Sequence, residues 1–144
     1  MYDDSYIYDV FCGELCSFVN CSNCNYQSLT LECFLDLSLP LIKGATSVEE
    51  LMSAYFDSEL LCDYYKCEAC HKSVKNSMKK IDLWNPPNNL IINLKRSQFG
   101  KKNVDNITIP INGLNMKKFM KNRSNYNIMK PKKYKDQQYT DWEA

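Results

Sequence analysis

Apolar and polar positions alternate most regularly between Ser28 and Leu41. Leu29, Leu31, Cys33, Leu35, Leu37 and Leu39 fall on one side, with Thr30, Glu32, Asp36 and Ser38 on the other. A period of two predicts one half-buried strand, and Pro40 ends it. Upstream, Val10 to Cys21 reads as a partner strand, and the polar run from Cys21 to Gln27 as the tight connection of a hairpin with cysteines at its tip. The period then changes. Ser47 followed by Glu50 forms a capping box, which predicts a short amphipathic helix with Leu51, Ala54 and Tyr55 on its packing face. Ser73 to Trp84 suggests another strand, and Pro86 and Pro87 break the chain before Asn89 to Arg96. That run is short, apolar and rich in isoleucine, as in a buried central strand. Ile107, Ile109 and Ile111 alternate, with Pro110 arguing for an edge, and Gly113 to Met120 allows a turn of helix. Beyond Arg123 apolar periodicity fades, which predicts a disordered tail over residues 122–144.

A chain of 144 residues, 44% of them hydrophobic, accommodates one domain with a modest core. The net charge of +1 conceals a division. Residues 1–71 carry 2 basic and 12 acidic side chains, and residues 72–144 carry 16 basic and 5 acidic. The basic residues are dispersed among Asn and Ser, so two stretches attracting one another across a sheet explain the asymmetry better than a polyanion-binding block. The first ten residues are acidic where a secretory signal needs a basic start and an apolar run. The longest apolar stretches, near Leu37 to Ile42 and Leu90 to Leu94, fall well short of the ~20 residues of a bilayer span. The expectation is a soluble protein of the cytoplasm, the nucleus or both, with no membrane partner.

In such a reducing compartment, paired cysteines point to metal or redox chemistry rather than disulfides. Of the eight cysteines, Cys21 with Cys24 and Cys67 with Cys70 have the two-residue separation that lets one tight turn present two thiolates to one ion. The pairs are 42 residues apart, so one structural zinc ion held by all four would close a long loop and make metal binding part of folding. The other four, Cys12, Cys16, Cys33 and Cys62, read as small buried hydrophobes, with Cys33 on the apolar face of its strand. Two rival readings are weaker. A thioredoxin-like dithiol needs a βαβ setting that the pattern lacks. Cys67 to His71 also matches a c-type haem attachment motif, but that leaves the other cysteine pair unexplained and suits a strand-rich chain poorly. His71, the single histidine, reads as a solvated neighbour of the second pair.

In sequence order, FCGELCSFVNCSNC, SLTLECFLDLSLPL, SVEELMSAYF, YYKCEACHK, LWNPPNNLIINLKR and ITIPI resemble the middle portion of the ubiquitin-specific proteases, over residues 10–120. Gly13 before the first cysteine pair, the Phe34 to Pro40 strand, Glu59 ahead of the second pair and the strand ending Leu94-Lys95-Arg96 all agree with that family. The resemblance implies a β-rich α+β fold: antiparallel strands, a zinc-ribbon fingers subdomain and one or two short helices, forming part of a papain-like cysteine protease hand. Residues 1–121 would be a partial catalytic domain, with fingers at about 10–80 and partial palm at about 81–121. Zinc would be held by Cys21, Cys24, Cys67 and Cys70, and the fingers would cradle ubiquitin.

The family cleaves the isopeptide bond after ubiquitin's carboxyl terminus with a Cys nucleophile, a His base and an Asp or Asn that orients it. Neither the family's Gly-Asn-Thr-Cys box nor its Gly-His-Tyr box occurs here. Cys12 and Cys16 lack Gly-Asn-rich surroundings, so no catalytic residue is assigned. The chain is expected to be a fragment, inactive alone, whose missing thumb and palm could lie on another chain. After Arg96 the family has Phe where Ser97 stands, and Phe99 is positioned to fill that space. A second reading is a free zinc ribbon that binds nucleic acid through its basic half, where Tyr126, Tyr134, Tyr139 and Trp142 interleave with Lys130, Lys132, Lys133 and Lys135.

Overall fold

The structure, a computed structural model, describes residues 5–98 and 100–120. The tail expected over residues 122–144, and Phe99, lie outside the described residues. The chain opens with helix α1 (Tyr6–Phe11), then strands β1 (Gly13–Asn20), β2 (Gln27–Phe34) and β3 (Leu37–Pro40), and helix α2 (Val48–Tyr55). Short strands β4 (Glu59–Leu60), β5 (Tyr65–Lys66) and β6 (Ser73–Val74) precede the long β7 (Met78–Asn85). β8 (Ile92–Lys95), β9 (Ser97–Gln98), β10 (Lys101–Lys102) and a 3-10 turn (Lys117–Phe119) follow. No helix among the described residues is long and apolar enough to cross a membrane.

The largest sheet has the order β2-β1-β7-β4 and is antiparallel throughout. β1 pairs with β2 from Gly13 opposite Phe34 to Asn20 opposite Gln27, as a hairpin requires. Its other edge pairs with β7 from Glu14 opposite Asn85 to Asn20 opposite Met78, with a register shift between Glu14 and Leu15. Strand β1 is therefore internal, and Gly13, Glu14, Leu15, Cys16 and Phe18 are buried on it. The position of Gly13 tolerates no side chain, since a Cβ there would lie 2.5 Å from the Phe34 ring and 2.8 Å from Pro87 Cδ.

The single strand expected from Ser28 to Pro40 is two strands. The chain bends at Leu35 and Asp36, where the Ser38 hydroxyl donates to Asp36 Oδ2 at 2.7 Å. β3 then leaves the hairpin and pairs with β8, parallel rather than antiparallel, from Leu37 opposite Ile92 to Pro40 opposite Lys95. Burial follows the change of partner. Leu37 and Leu39 are 1% and 0% exposed, whereas Leu29 and Leu31 on the outer strand β2 are half-buried and Leu35 is exposed. Cys33 is exposed too, correcting its assignment to a buried face: the alternation is continuous, but of β2 and β3 only β3 contributes buried residues to the core.

That core joins Leu15, Leu37, Leu39, Val48, Leu51, Met52, Phe56, Leu83 and Phe119. Phe56 stacks on Phe119 with ring centroids 5.0 Å apart. On α2 the buried positions are Val48, Leu51 and Met52, with Phe56 at the C-cap; Ala54, placed on the packing face from its spacing, is exposed. The capping box forms as the sequence predicts. Ser47 Oγ accepts from the Glu50 N–H at 3.3 Å, and the Glu50 carboxylate accepts from the Thr46 N–H at 2.6 Å.

Three further expectations are corrected. Ser73 to Trp84 divides into β6 and β7 at Asn76, whose φ of 59° is left-handed. β8 is four residues long and half-buried, and pairs with β3 alone among the described residues, so it is not a central strand. The Ile107 to Ile111 segment makes a single bridge, Thr108 with Ser47, and leaves Ile109 and Ile111 exposed. The 3-10 turn is where Gly113 to Met120 predicts helix, and it buries Phe119.

Candidate metal centre

The sulfur atoms of Cys21, Cys24, Cys67 and Cys70 all lie within 4.8 Å of one another. Cys21 Sγ is 3.9 Å from Cys70 Sγ, and Cys24 Sγ is 3.6 Å from Cys67 Sγ. Four thiolates at about 2.3 Å from one tetrahedral ion are separated by about 3.8 Å, so these cross-pair distances fit one ion. They are far too long for S–S bonds, and all eight cysteines are free thiols.

Two turns of the same construction build the cluster. β1 delivers Cys21 into a turn in which the Asn25 N–H donates to the Cys21 carbonyl at 3.1 Å and the Cys21 N–H donates to the Tyr26 carbonyl at 2.9 Å. β5 delivers Cys67 into its counterpart, where the His71 N–H donates to the Cys67 carbonyl at 2.9 Å and the Cys67 N–H to the Lys72 carbonyl at 3.0 Å. Asn25 and His71 each have φ 57°, the left-handed conformation that returns the chain to a strand. The sequence reading missed this shared role, although the position after the second cysteine of each pair was the signal. His71 is exposed, as predicted, but its contribution is to backbone conformation.

The strands bring the turns together. β7 pairs with β1 so that Met78 lies opposite Asn20, and β5 and β6 form the hairpin just ahead of it. The Ser22 hydroxyl donates to the Lys75 carbonyl at 2.7 Å, linking the first turn to the β6–β7 connection. Cys21 and Cys67 are 1% and 0% exposed, Cys70 is intermediate and Cys24 is exposed, so the cluster caps a hairpin end with one side toward solvent.

Backbone N–H groups aim at the sulfurs and favour their ionised form. Burial opposes ionisation of Cys21, but the N–H groups of Cys24 and Asn23 outweigh it and bring this thiol down to about 7. Cys70 is lowered first by the Lys72 N–H. At Cys24 the Tyr26 N–H acts in the same direction, but burial and the crowding of three other sulfurs push it up to about 12. Packing four sulfurs this closely opposes ionising all of them together, and a bound cation would supply the missing positive charge.

The remaining cysteines divide. Cys16 is buried as expected, Cys12 is half-buried, and Cys33 and Cys62 are exposed, contrary to the reading of all four as buried. Cys12 and Cys16 were weighed as nucleophiles from the sequence and not assigned that role. Cys12 stands at the opposite end of the β1–β2 hairpin from His71, and Cys16 is closed off from solvent in the sheet.

The family model described as ubiquitin carboxyl-terminal hydrolase matches residues 1–135. The chain belongs to this family. Among curated members, ubiquitin carboxyl-terminal hydrolase 36 of Drosophila ananassae is 43% identical over 101 residues, covering 69% of this chain and 9% of the relative. The protein of the same name from Drosophila virilis is 43% identical over 98 residues, covering 67% of this chain and 8% of its own. Among solved structures, the SAGA Ubp8/Sgf11/Sus1/Sgf73 DUB module bound to ubiquitin aldehyde matches with TM-score 0.69 and 30% identity, over 82% of this chain and 27% of that one. The same module bound to monoubiquitin, with Ubp8 carrying C146A, matches with TM-score 0.70 and 31% identity, over 81% and 27%. The chain thus spans under a tenth of the length of these curated hydrolases and about a quarter of the solved chains. The β-rich fold with its four-cysteine ribbon, expected from the resemblance, is the fold of this segment of the family.

Proposed function

We propose that this chain is the fingers and part of the palm of a ubiquitin-specific protease, that the ion held by Cys21, Cys24, Cys67 and Cys70 is zinc, and that the segment presents a ubiquitin-facing surface without cleaving by itself. The four-sulfur cluster carries this reading. Its spacing suits one tetrahedral ion, all its donors are cysteine sulfurs, and the N–H groups around Cys21 and Cys70 lower the cost of ionising those two. Zinc bound there supplies a fixed, redox-inert crosslink between two hairpin ends. The absence of cleavage is supported by the sequence, because the single histidine forms part of a metal-binding turn.

Ubiquitin as the partner is supported by the family and by the ubiquitin-bound state of the solved relatives. The test is elemental analysis followed by titration with ubiquitin, before and after chelation. About one equivalent of zinc, and ubiquitin binding that is lost with the metal, is the expected result. Folded protein with far less than one equivalent overturns the metal assignment. Reaction of this chain with an electrophilic probe built on ubiquitin's carboxyl terminus overturns the claim that it is inactive alone. Binding to single-stranded oligonucleotide that falls steeply with salt, without ubiquitin binding, transfers the assignment to a nucleic-acid module.

A further inference from the structure

A second pair of thiols lies at the other end of the β1–β2 hairpin. Cys12 follows α1 directly as its C-cap, in extended conformation, with its N–H donating to the Tyr8 carbonyl at 3.0 Å. Cys33 is the penultimate residue of β2 and pairs with Glu14. Glu14 and Cys12 are two residues apart on one strand direction, so Cys12 and Cys33 project to the same face as diagonal neighbours. Both residues line one open pocket of about 440 Å³ together with Tyr8, Phe34, Leu35 and Asp36, and the Cys12 thiol donates to the Gly13 carbonyl at 3.6 Å.

We propose that Cys12 and Cys33 are a redox-responsive pair that closes to a disulfide when the protein meets a hydroperoxide. Their roles differ. Cys33 is exposed and takes the oxidant. Cys12 is half-buried, and its thiol is pushed up to about 11, first by burial and then by the neighbouring Cys33 and Glu14, so it keeps its proton while Cys33 meets the oxidant, and its place beside Cys33 in the same pocket makes it the resolving thiol. The Cys33 thiolate attacks one oxygen of hydrogen peroxide. An S–O bond forms as the O–O bond breaks, water leaves with a proton, and Cys33 becomes a sulfenic acid. The Cys12 sulfur then attacks Cys33: the S–S bond forms, the S–O bond breaks, and the Cys12 proton leaves with the hydroxyl as a second water. Two thiols lose two electrons and one peroxide becomes two waters.

Closure requires the sulfurs to approach to about 2.05 Å. Cys12 stands outside the β1–β2 ladder, so a shift of its backbone breaks no strand pair between them. The bond would fasten α1 to the sheet. At present α1 has no buried residue and is held by the Asn89 N–H on the Val10 carbonyl at 2.9 Å and the Asn88 side-chain amide on the Asp9 carbonyl at 3.0 Å. The hairpin separates this pair from the metal cluster by about 24 Å at ~3.4 Å per residue, so its oxidation is independent of the metal.

The experiment treats metal-loaded protein with graded hydrogen peroxide, follows metal release with a chromogenic chelator, blocks remaining thiols with N-ethylmaleimide, and maps unreduced peptides by mass spectrometry. The expected result is a peptide joining Cys12 to Cys33 at doses that release no metal, reversed by dithiothreitol. In Cys12→Ser, Cys33 should accumulate as a sulfenic acid trapped by dimedone; in Cys33→Ser, Cys12 should stay reduced at the same doses. Metal stoichiometry reports whether each variant has folded, and the unmutated protein's peptide map decides if one has not. Absence of the Cys12–Cys33 link before metal is lost, or Cys12 oxidising first in Cys33→Ser, overturns the proposal.

Discussion

Asn25 and His71 show how one residue can shape a cluster of cysteines through its backbone conformation. Each stands immediately after the second cysteine of its pair at φ 57°, where glycine is relaxed and β-branched residues are strained. Asn25→Gly and His71→Gly should therefore retain a full equivalent of metal. Asn25→Val should destabilise the protein by about 1–3 kcal/mol in chemical denaturation. Loss of metal in His71→Gly would mean that the imidazole does more than shape the turn. The cysteines are unequal as well. Cys67→Ser removes a fully buried sulfur of the cluster and should reduce bound metal to a small fraction of an equivalent by elemental analysis. Cys24→Ser, at the solvent-facing corner, should leave measurable but weakened binding. That these four cysteines could share one ion was legible in the sequence because each pair's spacing is local. The left-handed turn residues were not, since Asn and His carry no unique conformational mark.

Helix α2 was legible for a similar reason. Its start is specified by Ser47 and Glu50, three residues apart, and both bonds of the capping box form within one turn. Ser47→Ala should cost about 1 kcal/mol, measured by urea denaturation at neutral pH. Glu50 adds a pH dependence. The Thr46 N–H, first among its causes, holds the Glu50 carboxyl below its ordinary value. Its stabilising contribution is therefore fully present above the unfolded pKa of about 4.3 and is lost as pH falls through the lower folded value. Glu50→Gln should flatten that acid limb of the stability profile and leave its shape above pH ~6 unchanged. Strand boundaries were less legible than the helix. From Leu29 to Leu39 the period of two never falters, yet the chain exchanges β1 for β8 as its partner at Leu35 and Asp36. Periodicity records which side chains share a side, not which strand lies next to them.

At the scale of the molecule, the apolar core and the four-cysteine cluster occupy separate places among the described residues. The apolar core of Leu37, Leu39, Leu51, Met52, Leu83 and Phe119 lies under β3, α2 and β7, whereas the β5–β6 hairpin contributes two residue pairs and, in Cys67, only a candidate ligand to the buried set. Removing the metal with a chelator should therefore abolish hydrogen-exchange protection in β5, β6 and the β1–β2 tip first, while amides of α2 and β7's Leu83 region remain protected. Simultaneous loss everywhere would show that the metal supports the core directly. The division of charge between the halves finds one expression in the Glu59–Lys79 pair, 3.9 Å apart across β4 and β7, an exposed contact that contributes little to stability. By itself the sequence determined the four thiols, the hairpin that carries the first pair, the capped helix and the family, because each is written in residues close together or in a fixed order. Only the tertiary structure decided that Cys33 is exposed, that β3 and β8 run parallel, and that two pairs of cysteines 42 residues apart converge. Those outcomes depend on which strands pair and where the core closes, and pairing is a property of the folded chain rather than of any one segment.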